Sequence, residues 1–247
     1  MKKVVVLLLS LTLLSFSSAQ AGDVQSGKLS LYKLKLQANL GMAQAQSQLG
    51  VRYALGEGVP QDAKQAVAWY RKAADQGYAK AQFNLGVMYA YGRGVPQDDK
   101  QAIAWFRKAA DQGIADAQFN LGLMYAYGRG VSQDDKQAVA WYRKAADQGY
   151  ADAQFRLGVG YRTGQGAPQD DKQAVAWYRK AAEQGNADAQ YAVGAMYTIG
   201  RGIPQDDKQA VAWYRKAADQ GVVLPKTWRK APVHPICCHL SETALRV

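Results

Sequence analysis

Five tryptophans recur along the chain at an interval of 36 residues, and this interval constrains the fold more than any other feature of the sequence. They are Trp69, Trp105, Trp141, Trp177 and Trp213. Each lies in nearly the same run of residues, of which QAVAWYRKAADQG at 65–77 is one copy. Self-similarity at a period of about 20–50 residues is typical of solenoid proteins. The sequence therefore predicts stacked copies of one structural unit rather than a single globular core.

The period divides most of the chain into five complete units. They are 42–77, 78–113, 114–149, 150–185 and 186–221. In the second unit, a first helical pattern runs from Ala79 to about Ala90 and stops at a Gly-Arg-Gly-Val-Pro turn. A second pattern begins near Asp98, an N-cap candidate, and ends at Gly113. Since no segment alternates with period two, we predict an all-α fold, an α/α superhelical solenoid of five helix-turn-helix repeats.

The five copies can be compared with each other by numbering each unit from 1 to 36. Positions 2, 4, 5, 9 and 12 hold Ala, Ala, Gln, Gly and Tyr in every copy, whereas positions 3, 7, 10, 11 and 14 differ. At about 100° per residue, positions 3, 7, 10 and 14 form one stripe of the first helix, roughly opposite positions 4, 8 and 12. We expect the fixed face to form the core and this variable stripe to bind a partner.

The middle units carry the residue types that favour binding of a protein or peptide. Asn offers donors and acceptors to a peptide backbone, Tyr offers apolar area with a polar tip, and Met is an adaptable filler beside the stripe. Arginines in the turns are candidates for contact with an acidic partner at the edge. The predicted partner-binding residues are Asn84, Met88, Tyr91, Asn120, Met124, Tyr127, Arg156, Arg93 and Arg129. The alternative is that these positions diverged on an exposed surface that binds nothing, which the clustering of Tyr and Met disfavours.

The second unit also carries a family resemblance. Its run AKAQFNLGVMYAYGRGVPQDDKQAIAWFRKAADQG at 79–113 resembles the Sel-one-like repeat (SLR), a relative of the tetratricopeptide repeat, and the match extends over all five units. The resemblance implies that the first helices line a concave groove. It also implies a non-catalytic role in binding proteins or peptides, often in the bacterial envelope or in contact with a host, without a cofactor.

The N-terminus has the features of an export signal. Lys2 and Lys3 precede an apolar run at 4–14, and Ala19-Gln20-Ala21 matches a cleavage site. We predict removal of residues 1–21 and a periplasmic or secreted protein; an uncleaved anchor is the alternative, which the short apolar run disfavours. Residues 22–41 resemble a degenerate second helix that would cap the first unit.

Composition narrows the class of partner. The formal charge of the whole chain is +11, but no repeat carries a dense basic patch. An exported protein also has no usual access to nucleic acid. No segment after the N-terminal run is long and apolar enough to enter a bilayer. We therefore expect a protein or peptide partner, no nucleic acid and no membrane insertion after signal cleavage; the sequence leaves the oligomeric state open.

Two rival classes of function remain. Ser30 and Lys33 match the S-x-x-K motif of β-lactamases, although the companion S-D-N and K-T-G motifs are absent. An envelope hydrolase of this type, or a structural spacer without a dedicated ligand, is the alternative to a binding scaffold.

The C-terminal residues depart from the repeat pattern. Segment 222–247 contains two histidines and two adjacent cysteines, namely His234, Cys237, Cys238 and His239. Adjacent cysteines chelate one ion poorly, so we predict a poorly ordered tail and no metal site.

Overall fold

In a computed structural model, residues 30–222 are described, and every regular element in this range is an α-helix. The helices are α1 at 30–39, α2 Ala43–Leu55, α3 Ala63–Asp75, α4 Ala79–Tyr91, α5 Asp99–Asp111, α6 Ala115–Tyr127, α7 Asp135–Asp147, α8 Ala151–Thr163, α9 Asp171–Glu183, α10 Ala187–Ile199 and α11 Asp207–Asp219. Each 36-residue unit contributes two helices of thirteen residues. The predicted all-α solenoid of five helix-turn-helix repeats is confirmed.

The chain divides within α7 into two compact parts, of which the structure describes residues 30–141 and 142–222. From here on these parts are called the first unit and the second unit, and the 36-residue copies are called repeats. The first unit contains α1 to α6 and the start of α7. The second contains the rest of α7 and α8 to α11. The described part of α1 packs its buried Leu34 and Ala38 against α2, at the place where a capping helix is expected.

The repeat sequence sets the ends of each helix, as the second repeat shows. The Asp98 carboxylate accepts hydrogen bonds from the backbone N–H groups of Lys100 and Gln101, at 2.9 and 3.0 Å, so it is the N-cap of α5. Gly92 ends α4 in the left-handed conformation, with φ 64°, which glycine adopts without a steric penalty. These bounds match those predicted from the sequence.

The glycine at position 9 allows the two helices of a repeat to approach closely. A Cβ atom placed on Gly86 would lie 2.7 Å from two ring carbons of Phe106, which is buried in the core. Gly50 and Tyr70 have the same relation in the first repeat, at 2.6 Å. The constant glycine and the aromatic residue at position 29 are therefore one packing unit.

The apolar core forms between the second helix of one repeat and the first helix of the next. Ala81 and Leu85 of α4 are fully buried in one cluster with residues of α3. Trp105 of α5 packs against that same cluster, so it covers the junction of α3 and α4. This arrangement agrees with the predicted role of positions 4 and 8 as the core face.

The termini lie outside the described residues. These include the predicted signal peptide 1–21 and the residues from 223 onward, with the His and Cys cluster of the tail. Across residues 30–222, no helix combines the length and apolar character needed to cross a membrane. In the same range, no cluster of three His, Cys, Asp or Glu side chains is arranged to hold a metal ion.

Candidate functional site

The variable stripe is accessible to solvent in each repeat. Residues at positions 3 and 14 are exposed, and those at positions 7 and 10 are half-buried except for the exposed Gln48. Large apolar side chains end the stripe: Leu55 is 62%, Tyr91 62% and Tyr127 58% exposed. In the second unit, Ile199 at the same position is also exposed. Each first helix thus presents a polar start and, in four of the five repeats, a large apolar end.

The two predicted methionines do not belong to this surface. Met88 and Met124 are 5% and 3% exposed and lie in the core clusters of the first unit. They occupy position 11, which is seven residues, or about two helical turns, after position 4 and therefore lies within about 20° of the core face. The expectation that they lie beside the stripe as accessible fillers is wrong.

The remaining polar candidates lie on the half-buried part of the stripe. Asn84, Asn120 and Arg156 are half-buried at position 7 of consecutive repeats. The side-chain amide of Asn120 donates a hydrogen bond to the carbonyl oxygen of Asp116, one turn earlier, at 2.8 Å. Among residues 30–222, the structure records no hydrogen bond to its amide oxygen.

The arginines at position 16 are held in two different ways. Arg129 forms a bidentate ion pair with Asp99 of the preceding repeat, at 2.6 and 3.2 Å, and the hydrogen bond to Asp99 raises the pKa of Arg129. In the second unit Arg201 pairs with Asp171 at 2.8 Å. Arg93 is exposed and lies with its guanidinium carbon 5.6 Å from the centre of the Tyr91 ring. The two predicted edge arginines, Arg93 and Arg129, therefore differ in how their side chains are held.

Constant residues elsewhere form two inter-repeat contacts that the sequence reasoning did not identify. The first joins the arginine at position 30 to the tyrosine at position 12 of the next repeat: Arg107 donates a hydrogen bond to the Tyr125 hydroxyl at 2.5 Å, with its guanidinium 6.0 Å from the ring centre. Arg71 and Tyr89 are joined in the same way. Both positions hold the same residue in every copy, and this constancy was the signal in the sequence that could have indicated the contact.

The second contact is a glutamine network at position 5. The side-chain amide of Gln82, buried at 5% exposure, donates to the carbonyl oxygen of Ala74 in the preceding repeat at 3.2 Å. The amide oxygen of Gln82 accepts a hydrogen bond from Gln112 at 2.7 Å. Buried amides require such partners, which explains why position 5 never varies. In the first repeat, Gln46 makes equivalent bonds to Ala38 and Gln76.

Burial raises the pKa of three tyrosines at position 29, Tyr70, Tyr178 and Tyr214. For Tyr70 and Tyr214 it rises from the usual 10.0 to about 12, because the packed ring disfavours the phenolate. The pKa of Tyr178 is also raised by burial. These rings belong to the helix-packing core and not to the variable stripe, so their shifts are structural.

A groove of about 630 Å³ lies between α1 and α2. Ser30 and Lys33 of the S-x-x-K motif line it together with Gln37, Gln48 and Arg52. This places the two motif residues on the wall of one open groove at the start of the described chain.

Comparison with known proteins identifies the class to which this helical array belongs. The model of the Sel1 repeat matches residues 43–78, 79–114, 115–150, 151–186 and 187–222. The matches cover most of the chain, and each begins one residue after the start of a 36-residue repeat. The chain belongs to the Sel1 repeat family.

Solved structures with the same architecture have substantial sequence identity. A protective antigen present in uropathogenic Escherichia coli strains, which displays an SLR fold, is 42% identical with a TM-score of 0.74 over 76% of this chain; the match spans 40% of that protein. A Sel1 repeat protein from Oxalobacter formigenes is 37% identical with a TM-score of 0.71, over 80% of this chain and 82% of its own. No curated protein sequence matches significantly.

Proposed function

We propose that this protein is a non-catalytic scaffold that binds a protein or peptide along the variable stripes of its first helices. The observation that carries this proposal is the division of each first helix into two faces. One face is constant among the copies and is buried, while the other differs among the copies and is accessible. The constant residues at positions 4, 5 and 9 are buried in the packing of the helices, whereas the exposed positions 3 and 14 have diverged among the copies and are suited to contact.

The type of exposed residue supports a protein partner. Tyr91 and Tyr127 end the stripes of neighbouring repeats in the first unit and leave most of their surface in solvent. Tyr is enriched in the cores of protein interfaces because it combines apolar area, few rotatable bonds and a hydroxyl. Membership of the Sel1 repeat family, whose members generally mediate protein–protein interactions, points in the same direction.

We further propose that the protein acts outside the cytoplasm, in the periplasm or after secretion. The proposal depends on the basic, apolar and small-residue segments of the first 21 residues. N-terminal sequencing of protein isolated from cells is expected to begin at Gly22. A chain that begins at Met1 and stays in the cytoplasmic fraction would contradict this localisation.

The binding proposal is tested by partner capture with matched variants. The stripe variant replaces Asn84, Tyr91, Asn120 and Tyr127 with Ala. The control replaces three exposed residues of the second helices, Gln65, Gln101 and Gln137, with Ala. In crosslinked envelope extracts, the wild type and the control should enrich the same protein, and the stripe variant should lose it while retaining its helical circular dichroism. Equal capture by all three would exclude the variable stripe as the binding surface.

The groove between α1 and α2 keeps the hydrolase hypothesis open to a direct test. Ser30 and Lys33 both line it, and a hydrolase of this type would use them as serine nucleophile and lysine base. Our proposal predicts no hydrolysis of nitrocefin by the wild type. Turnover that disappears in Ser30→Ala would establish the hydrolase instead. A structural spacer would show neither turnover nor any effect of the stripe variant on capture.

A further inference from the structure

One arginine of the first unit lacks the carboxylate that its equivalents have. In the third repeat, the position-16 residue Arg129 pairs with Asp99, the first residue of the preceding second helix, at 2.6 Å. In the second unit Arg201 pairs with Asp171 in the same way, at 2.8 Å. The residue at the corresponding place for Arg93 is Ala63, since the first repeat alone has no Asp there.

The backbone around Arg93 is nevertheless built for the pair. A Cβ atom on Gly94 would lie 2.3 Å from the Ala63 carbonyl oxygen, and one on Gly130 would lie 2.3 Å from the Asp99 carbonyl oxygen. The two turns therefore meet the preceding helix at the same distance, and only the carboxylate is missing. Among residues 30–222, no ion pair to Arg93 is present, and its guanidinium rests over the Tyr91 ring.

One exposed aromatic side chain lies at this cation, and a second exposed apolar side chain ends the preceding first helix. Tyr91 lies beneath it, 62% exposed. Arg129 also donates to the carbonyl oxygen of Ala90 at the end of α4, at 3.3 Å, which shows that an arginine of this turn reaches the end of the preceding first helix. For Arg93 that end is the last turn of α2, where Leu55 is 62% exposed.

The charge of the surrounding repeats has the same sign. Repeats 1 and 2 contain nine Lys and Arg against six Asp and Glu, whereas repeat 3 has four of each. A cation that has no internal counter-ion, in a region of net positive charge, favours a negatively charged ligand. Guanidinium groups match carboxylates in a bidentate geometry.

We infer that Arg93 binds a carboxylate of the partner, an Asp or Glu side chain next to an apolar residue that packs on Leu55 or Tyr91. The occupant is a peptide segment of apolar and acidic character. This inference rests on the proposed function, because it names the chemistry that the variable stripe of the first unit recognises.

The sharpest perturbation restores the missing carboxylate. Ala63→Asp places Asp at the first helical position that it occupies in the other four repeats, so the variant is expected to fold. The new carboxylate would pair with Arg93 and compete with the ligand. Ala63→Asn is the matched control, because it has the same shape without the charge. Urea unfolding of both variants checks that neither is destabilised.

A phage-displayed library of random dodecapeptides is the probe, selected separately on the wild type and on both variants. We expect Asp or Glu adjacent to apolar residues to be enriched on the wild type and on Ala63→Asn, and this enrichment to be lost on Ala63→Asp. For the best synthetic peptide, replacing its acid by the amide should weaken binding to the wild type roughly tenfold and leave binding to Ala63→Asp unchanged.

The outcomes separate this inference from the proposed function. Peptides that are enriched equally on Ala63→Asp, or without an acidic residue, would overturn the role of Arg93 and leave peptide binding intact. A library that is not enriched on any of the three proteins would overturn both the role of Arg93 and the proposed peptide binding.

Discussion

The close approach of Gly86 to Phe106 predicts that Gly86→Ala lowers the free energy of unfolding. In Gly86→Ala the new methyl group would meet two ring carbons at 2.7 Å, whereas non-bonded carbons prefer about 3.5–4.0 Å. The ring is 1% exposed and lies 5.8 Å, centre to centre, from the Phe83 ring, so neighbouring side chains enclose it. The substitution therefore overpacks the junction of α4 and α5.

The expected change in stability combines two opposing effects. Overpacking a well-packed core costs about 1–3 kcal/mol, while replacing Gly by Ala inside a helix contributes about 0.5–1 kcal/mol of stability. The net result for Gly86→Ala is a loss of about 1 kcal/mol in the free energy of unfolding. Ala104→Gly, at an exposed position of α5, calibrates the helix-propensity effect in this array.

Urea unfolding followed by circular dichroism measures both effects, and a double variant isolates the clash. In the Phe106→Leu background, a smaller side chain faces position 86, so Gly86→Ala should there be neutral or stabilising. The reasoning is refuted if Gly86→Ala stabilises the otherwise unchanged protein by about as much as Ala104→Gly destabilises it, since only helix propensity would then be acting.

Three further predictions follow from the contacts within the first unit. Gln82→Leu should lower the free energy of unfolding by about 2 kcal/mol in urea titration, because the hydrogen bonds to Ala74 and from Gln112 each contribute about 1 kcal/mol. An unchanged urea midpoint would show that these hydrogen bonds do not contribute to stability. Asp98→Ala should cost about 1 kcal/mol through loss of the α5 cap, and Asp98→Asn, which keeps the acceptor, should cost less; equal losses would argue against capping. The pKa of Tyr70 is raised to about 12 in the folded chain, so the unfolded chain ionises first and the free energy of unfolding should fall as the pH rises from 10.0 towards 12. Tyr70→Phe should reduce this fall without changing the free energy of unfolding at neutral pH. Parallel pH profiles of the wild type and the variant would contradict the assignment to Tyr70.

Most of the fold was predictable because the sequence contains five copies of the same helix-turn-helix pattern. Comparison of the copies identified Ala81 and Leu85 as core residues, and turn chemistry at Gly92 and Asp98 located the helix ends. Local signals of this kind depend only on the backbone within one repeat, and they do not require knowledge of how repeats meet.

The candidate site was less predictable, because its residues are distinguished by contacts between repeats. Met88 was assigned to the accessible side although position 11 follows position 4 by two turns and is buried in the core. Arg93 and Arg129 look alike in sequence, and they differ only through Ala63 and Asp99, which lie 30 residues before them in the chain. The constant Gln82 signalled importance without indicating its partners.

The central claim is that the constant faces build the array and the variable stripe binds. Site-specific photo-crosslinking in intact cells tests it most directly, with the crosslinking residue placed at Tyr91 or Tyr127 on the stripe and at Ala68 or Ala104, which are exposed on the second helices. The account predicts that one protein is crosslinked from both stripe positions and from neither of the other two. Crosslinks to one protein from both Ala68 and Ala104, with none from Tyr91 and Tyr127, would contradict it.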